Sequence, residues 1–176
     1  MDLARVHKKL AEAQFFLGKM TEQERRIFGG GDPREPFEPF DYYLSAFLSA
    51  GRTVDYRLRY EQTAIYPAWR TAWNANLALQ ENALVKFMVD DRNDEVHESG
   101  SSRSEAQEGV EFGIGTHHRD GGTITIGGPV GMPPVVVSKR TYNFTIDGAE
   151  RKATEASAAY LALLQRMVAQ FEAGHP

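Results

Sequence analysis

The sequence predicts a mainly α-helical protein: three helices, a small antiparallel sheet, and a closing helix. Three observations lead there. Apolar residues recur every three, four or seven positions over residues 3–27, about 39–58, 68–89 and about 155–172. Beyond Ser102 the period falls from 3.6 to 2. Glycine- and proline-rich runs punctuate the changes. A chain of 176 residues with 41% hydrophobic content is expected to fold as one domain, 1–176, with a β-rich insertion at about 108–147.

The first helix sets Leu3, Val6, Leu10, Ala13, Leu17, Met20 and Ile27 on one face, with Lys8, Lys9, Glu12, Lys19, Glu22 and Arg25 on the other. Gly29-Gly30-Gly31-Asp32-Pro33 stops it. A second helix opens near Pro39, a residue suited to a first turn. Its expected buried stripe is Phe40, Tyr43, Leu44, Phe47, Leu48, Gly51, Val54 and Leu58, and interleaved Ser45, Ala46, Ser49 and Ala50 permit close helix approach. Pro67 marks the next start, and Ala68 to Val89 reads as one helix anchored by Trp69, Trp73, Leu77, Leu84, Phe87 and Met88. A polar segment from Asp90 to Glu98 follows, ended by Ser99-Gly100-Ser101-Ser102.

Period-2 alternation then appears at 110–114, 123–126 and 141–146, with Val135-Val136-Val137 as a further short strand. Asp120-Gly121-Gly122 suits a hairpin turn between the first two, and Asp147-Gly148 turns the chain again. The last helix is expected from about Glu155 to Glu172, with Thr154 as N-cap and Ala156, Tyr160, Leu163, Leu164, Met167 and Phe171 inward.

Composition excludes several classes of function. There is no cysteine, hence no disulfide framework, thiolate metal site or thiol nucleophile. No stretch approaches the roughly 20 apolar residues needed to cross a bilayer. Residues 1–9 lack the apolar core of a signal peptide, so a cytoplasmic location without membrane association is expected. A net charge of −4 with no basic stripe counts against tight, sequence-independent nucleic-acid binding and leaves a small local site open.

One spacing carries chemistry: Arg92-Asn93-x-x-x-His97. Arginine offers a permanently charged fork that matches a phosphate, and histidine passes protons near neutral pH. Together they could cleave an RNA phosphodiester without metal, His97 moving a proton and Arg92 steadying charge on the phosphorus oxygens. The bland alternative is a solvated helix end. With 14 arginines and 5 histidines in 176 residues, about 0.4 such pairs arise by accident. Five helical residues also turn through roughly 500°, setting the pair about 140° apart. They converge only if the helix breaks or a second chain completes the site. Asp90, Asp91, Asp94, Glu95 and Glu98 would repel a polyanion unless basic groups such as Arg52, Arg57 and Arg59 compensate.

The order of elements and the phrases Tyr42-Tyr43-Leu44-Ser45-Ala46-Phe47-Leu48-Ser49-Ala50-Gly51-Arg52 and Phe87-Met88-Val89-Asp90-Asp91-Arg92-Asn93-Asp94-Glu95-Val96-His97-Glu98 resemble a HEPN domain. The resemblance spans about residues 1–100 and 153–173. It implies an antiparallel four-helix bundle with an arginine–polar–histidine motif near the end of the third helix. It also implies a metal-independent ribonuclease in a toxin or phage-defence setting, active as a homodimer and needing no cofactor. Arg92, Asn93 and His97 fall on the motif, and Arg52 and Arg59 are expected to support phosphate binding. Two departures stand out: Ser99 occupies a position that is often tyrosine in toxins paired with nucleotidyltransferase antitoxins, and the β-rich insert is foreign to the basic bundle. A rival expectation is therefore a non-catalytic module that binds a cognate partner protein or small ligand.

Other motifs have plainer readings. His117-His118 could hold one metal ion only from a turn, and a solvated hairpin fits better. Gly113-x-Gly115 and Gly127-Gly128-x-x-Gly131 lack a phosphate-loop lysine and the strand–turn–helix setting, so turn geometry explains them. Trp69, Trp73, Tyr42, Tyr43, Phe47 and Phe87 sit at helical spacings that suit core or dimer packing, and the exposed members could mark an interface.

Overall fold

In the computed structural model the backbone is described for residues 3–25, 27–29, 39–97, 103–112, 116–119, 122–125 and 135–175, and the side chains for 3–25, 39–90 and 141–175. Helix α1 (Ala4–Glu24) buries Val6, Leu10, Ala13 and Met20, as the heptad-like spacing predicts. It stops before Ile27, which the periodicity had placed on the same stripe. Residues Ile27–Gly29 instead form strand β1, paired antiparallel with a long later strand. A seven-residue step fits a helix and a β-branched residue fits a sheet edge; tertiary pairing decides between them.

Helix α2 (Pro39–Glu61) buries Phe40, Leu44, Phe47, Leu48, Gly51, Val54 and Leu58. The close approach falls at Gly51. A Cβ there would lie 2.9 Å from Cε1 of Tyr160 and 3.4 Å from Cδ1 of Leu164, so any larger residue would have to displace the Tyr160 ring.

The expected single helix from Ala68 is broken. Helix α3 (Tyr66–Ala75) ends at Asn76, and α4 (Leu79–His97) begins after Leu77 and Ala78. Side chains hold the break. Glu81 reaches back to accept the Ala78 N–H at 3.0 Å, half of a capping box. Asn82 Nδ2 donates to the Leu77 carbonyl at 3.2 Å, tying the two helices' ends together. Leu77, periodic with both helices, is buried at the corner itself.

The sheet is larger and differently connected than the alternation suggests. Strands β2 (Arg103–Phe112) and β5 (Val135–Ile146) pair antiparallel from Arg103 opposite Phe144 to Phe112 opposite Val135. β1 pairs with β5 at Ile27–Gly29, and β6 (Ala149–Lys152) folds back on β5. The Asp147-Gly148 turn between them has φ +51° and +76°, the left-handed pair that a two-residue hairpin demands. Strands β3 (Thr116–Arg119) and β4 (Gly122–Thr125) form a separate hairpin. The strands that flank Asp120 are thus β3 and β4, and residues 110–112 belong to β2. Alternation identifies strands but not partners, because any period-2 run offers the same ladder.

Helix α5 (Ala153–Gly174) buries all six expected residues. Its N-cap is Lys152; Thr154 sits inside the first turn and donates to Oε2 of Glu24 at 2.7 Å. That bond joins the end of α1 to the start of α5, and His7 meets Glu172 at 2.7 Å at the other end, so the two helices run antiparallel. Arg166 of α5 bonds Glu81 at the start of α4 at 2.9 Å, and Gly51 meets Tyr160 while Tyr66 meets Phe171. α2 and α5 therefore run in one direction and α1 and α4 in the other. The sheet docks through β5: Tyr142 stacks on Phe40 at 3.8 Å, and Phe144 meets Phe87 at 5.0 Å. The fold is mainly helical with an antiparallel sheet.

Candidate functional site

Arg92, Asn93 and His97 all lie in the last six residues of α4. Their side chains are outside the described residues, so their placement is read from helix position. The helix runs through His97 without a break. Within one chain, positions 92 and 97 therefore stay about 140° apart around the axis.

The proposed phosphate-binding arginines sit elsewhere. Phe87 and Phe40 both pack on neighbouring residues of β5, which places the later half of α4 beside the start of α2. Arg52 and Arg59 lie 12 and 19 residues further along α2, about 18 and 28 Å down its axis. They face the end at which α4 begins. Along the helix axes they lie away from the motif of the same chain.

Arg52 instead joins a polar cluster that the sequence did not reveal. Asp55 accepts hydrogen bonds from the Tyr66 hydroxyl and from Nε of Arg70 at 3.0 Å, with Arg52 Nη1 at 3.6 Å. Arg70 also lies over the Trp73 ring, 4.7 Å from its centroid. Burial raises the Tyr66 hydroxyl well above the usual phenol range, and the neighbouring Asp55 charge and hydrogen bond push the same way. Burial, then the Asp55 charge, does the same to Tyr160. The cluster pins α3 to α2 across 11 and 15 residues of sequence, a separation that no local spacing announces.

An open cleft between β6 and the first turns of α5 is lined by Asn143, Glu150, Arg151, Lys152 and Glu155. Its charges are of both signs, and Lys152 already faces Glu155 at 3.8 Å. His117 and His118 fall on β3, opposite Ile124 and Thr123. No group of three or more His, Asp or Glu among the described residues could hold a metal ion. The glycine runs at 113–115 and 127–131 lie outside the described residues. No helix among the described residues is long and apolar enough to cross a membrane.

No protein-family model, curated protein or solved structure matches this chain.

Proposed function

We propose that this chain is a metal-independent endoribonuclease of the HEPN kind, with α1, α2, α4 and α5 as its antiparallel four-helix bundle. A toxin or defence role fits that reading. The observation that carries it is the position of Arg92, Asn93 and His97 at the end of α4, the third of the four long helices. Alternating helix directions support the bundle. In the reaction, the ribose 2′-hydroxyl attacks phosphorus as His97 takes its proton. The bond to the 5′-oxygen breaks and that oxygen takes the proton back from protonated His97, giving a 2′,3′-cyclic phosphate and a 5′-hydroxyl. Arg92 pairs with the non-bridging oxygens as charge builds, and Asn93 is the polar member of the motif. Because positions 92 and 97 diverge on an unbroken helix, the working site is shared between two copies of the chain.

The test is incubation of wild type, Arg92→Ala and His97→Ala with total cellular RNA and a tRNA pool in the presence of chelator. Chelator-resistant cutting by wild type, lost in both variants with their helical circular dichroism unchanged, supports the proposal. Cutting retained by both variants refutes it.

A second reading has its own support: five acids at 90, 91, 94, 95 and 98 surround the motif, and Ser99 stands where tyrosine is common. On that reading the chain is a non-catalytic module for a partner protein or small ligand. A stable co-purifying partner, with no hydrolysis of any RNA, would favour it.

A further inference from the structure

The second half of α2 carries an exposed stripe. Arg52, Tyr56, Arg59 and Tyr60 are all exposed and recur at steps of three and four opposite the buried line, with half-buried Ser45 and Ser49 before them on the same side. Tyr56 and Tyr60 are 62% and 66% exposed, large rings with no covering neighbour among the described residues. Their ring planes lie within 15° of parallel, with centroids 6.5 Å apart. Near-parallel, exposed rings one helical turn apart offer faces on which another planar group can stack.

Charge points to what would enter. Arg52 and Arg59 flank the two tyrosines on the same stripe, about 10 Å apart along the axis, and both are exposed. Asp55, the nearest acid, is engaged by Tyr66 and Arg70 besides Arg52. Glu61 is half-buried on another side of the helix. A net −4 protein thereby carries a local face of arginines and tyrosines on which Asp55, the acid between them in sequence, is already engaged.

We propose that this face binds single-stranded nucleic acid, one base stacking on the exposed rings of Tyr56 and Tyr60 while Arg52 and Arg59 contact flanking phosphates. Every base has a π-face, so the contact is sequence-tolerant. The arginines add electrostatic attraction that salt weakens. The site lies far along α2 from the Arg92–His97 motif and does not depend on that motif's chemistry. A small, local basic face also fits a chain that lacks a basic excess.

Fluorescence anisotropy of a labelled oligothymidylate tests it, because single-stranded DNA has no 2′-hydroxyl and survives the ribonuclease reaction proposed above. Wild type binds at low salt. Tyr56→Leu with Tyr60→Leu weakens binding at least about fivefold, the loss of one stacked base. Tyr56→Phe with Tyr60→Phe retains it, since the ring and not the hydroxyl stacks. Arg52→Gln with Arg59→Gln weakens it and flattens the slope of log affinity against log salt by up to about 1.4, at about 0.7 per phosphate. Circular dichroism of each variant confirms the fold. Absence of wild-type binding, or equal binding by the leucine pair, overturns the proposal. So does a wild-type dimer that the leucine pair dissociates while no oligonucleotide binds, which would make the face a contact between copies.

Discussion

Truncating Phe144 to alanine tests whether the sheet is part of the core that sets the position of α4. Phe144 is fully buried on β5, and its ring meets Phe87 of α4 at 5.0 Å. Removing the ring forfeits about 1.5–3 kcal/mol of transfer free energy. A residual cavity on the order of 100 Å³, at about 24 cal/mol per Å³, adds about 2 kcal/mol if the site does not collapse. The expected loss is about 3–5 kcal/mol, or roughly 6–20 °C in Tm for a chain of this length. The control is Thr145→Ala, one residue on and exposed, which should change stability by no more than about 0.5 kcal/mol. Urea unfolding followed by circular dichroism gives both values, with unchanged m-values as the sign of an intact transition. A Phe144→Ala loss below about 1 kcal/mol, or equal losses at 144 and 145, would show that β5 does not pack its even-numbered residues on the helices. The argument placing the end of α4 beside the start of α2 would then fall.

Two further outcomes follow from the packing. Gly51→Ala gains about 1 kcal/mol of helix propensity but forces Tyr160 to move, since the new Cβ would lie 2.9 Å from its ring. Overpacking costs about 1–3 kcal/mol, so the net change is a loss of up to about 2 kcal/mol, and adding Tyr160→Leu should cost less than the sum of the single changes. Strict additivity in denaturant unfolding would sink this account. Tyr66 and Tyr160 have folded-state values raised above that of a free phenol. Their contribution is complete below about pH 10 and is lost as pH rises through the higher folded values. Absorbance at 295 nm should show at least two phenols ionising only as the helical signal disappears. If all seven tyrosines ionise before unfolding, burial of these two is refuted.

The helices were legible because burial follows a period that local sequence carries. In α5 all six residues expected inward are buried, although Ser157, Leu161 and Val168 are buried beside them, and in α2 seven of the eight expected residues are buried, with Tyr43 half-buried. The Asp147-Gly148 turn was readable too, because few residue pairs tolerate two positive φ angles. What failed depended on partners distant in sequence. Ile27 left its helix stripe for the edge of β5, more than a hundred residues on. The third helix split because Glu81 and Asn82 offered backbone groups at 77 and 78 better partners than a continuous helix would.

The candidate chemistry divides in the same way. The sequence by itself determined which residues could do chemistry, since residue type and spacing of Arg92, Asn93 and His97 are properties of the chain. Only the tertiary structure decided which residues are neighbours. It set Arg52 and Arg59 toward the far end of α2, gathered Asp55, Tyr66 and Arg70 into one cluster, and left Tyr56 and Tyr60 uncovered. The physical reason is that side-chain chemistry is local, whereas proximity depends on how apolar faces from distant segments find one another and exclude water.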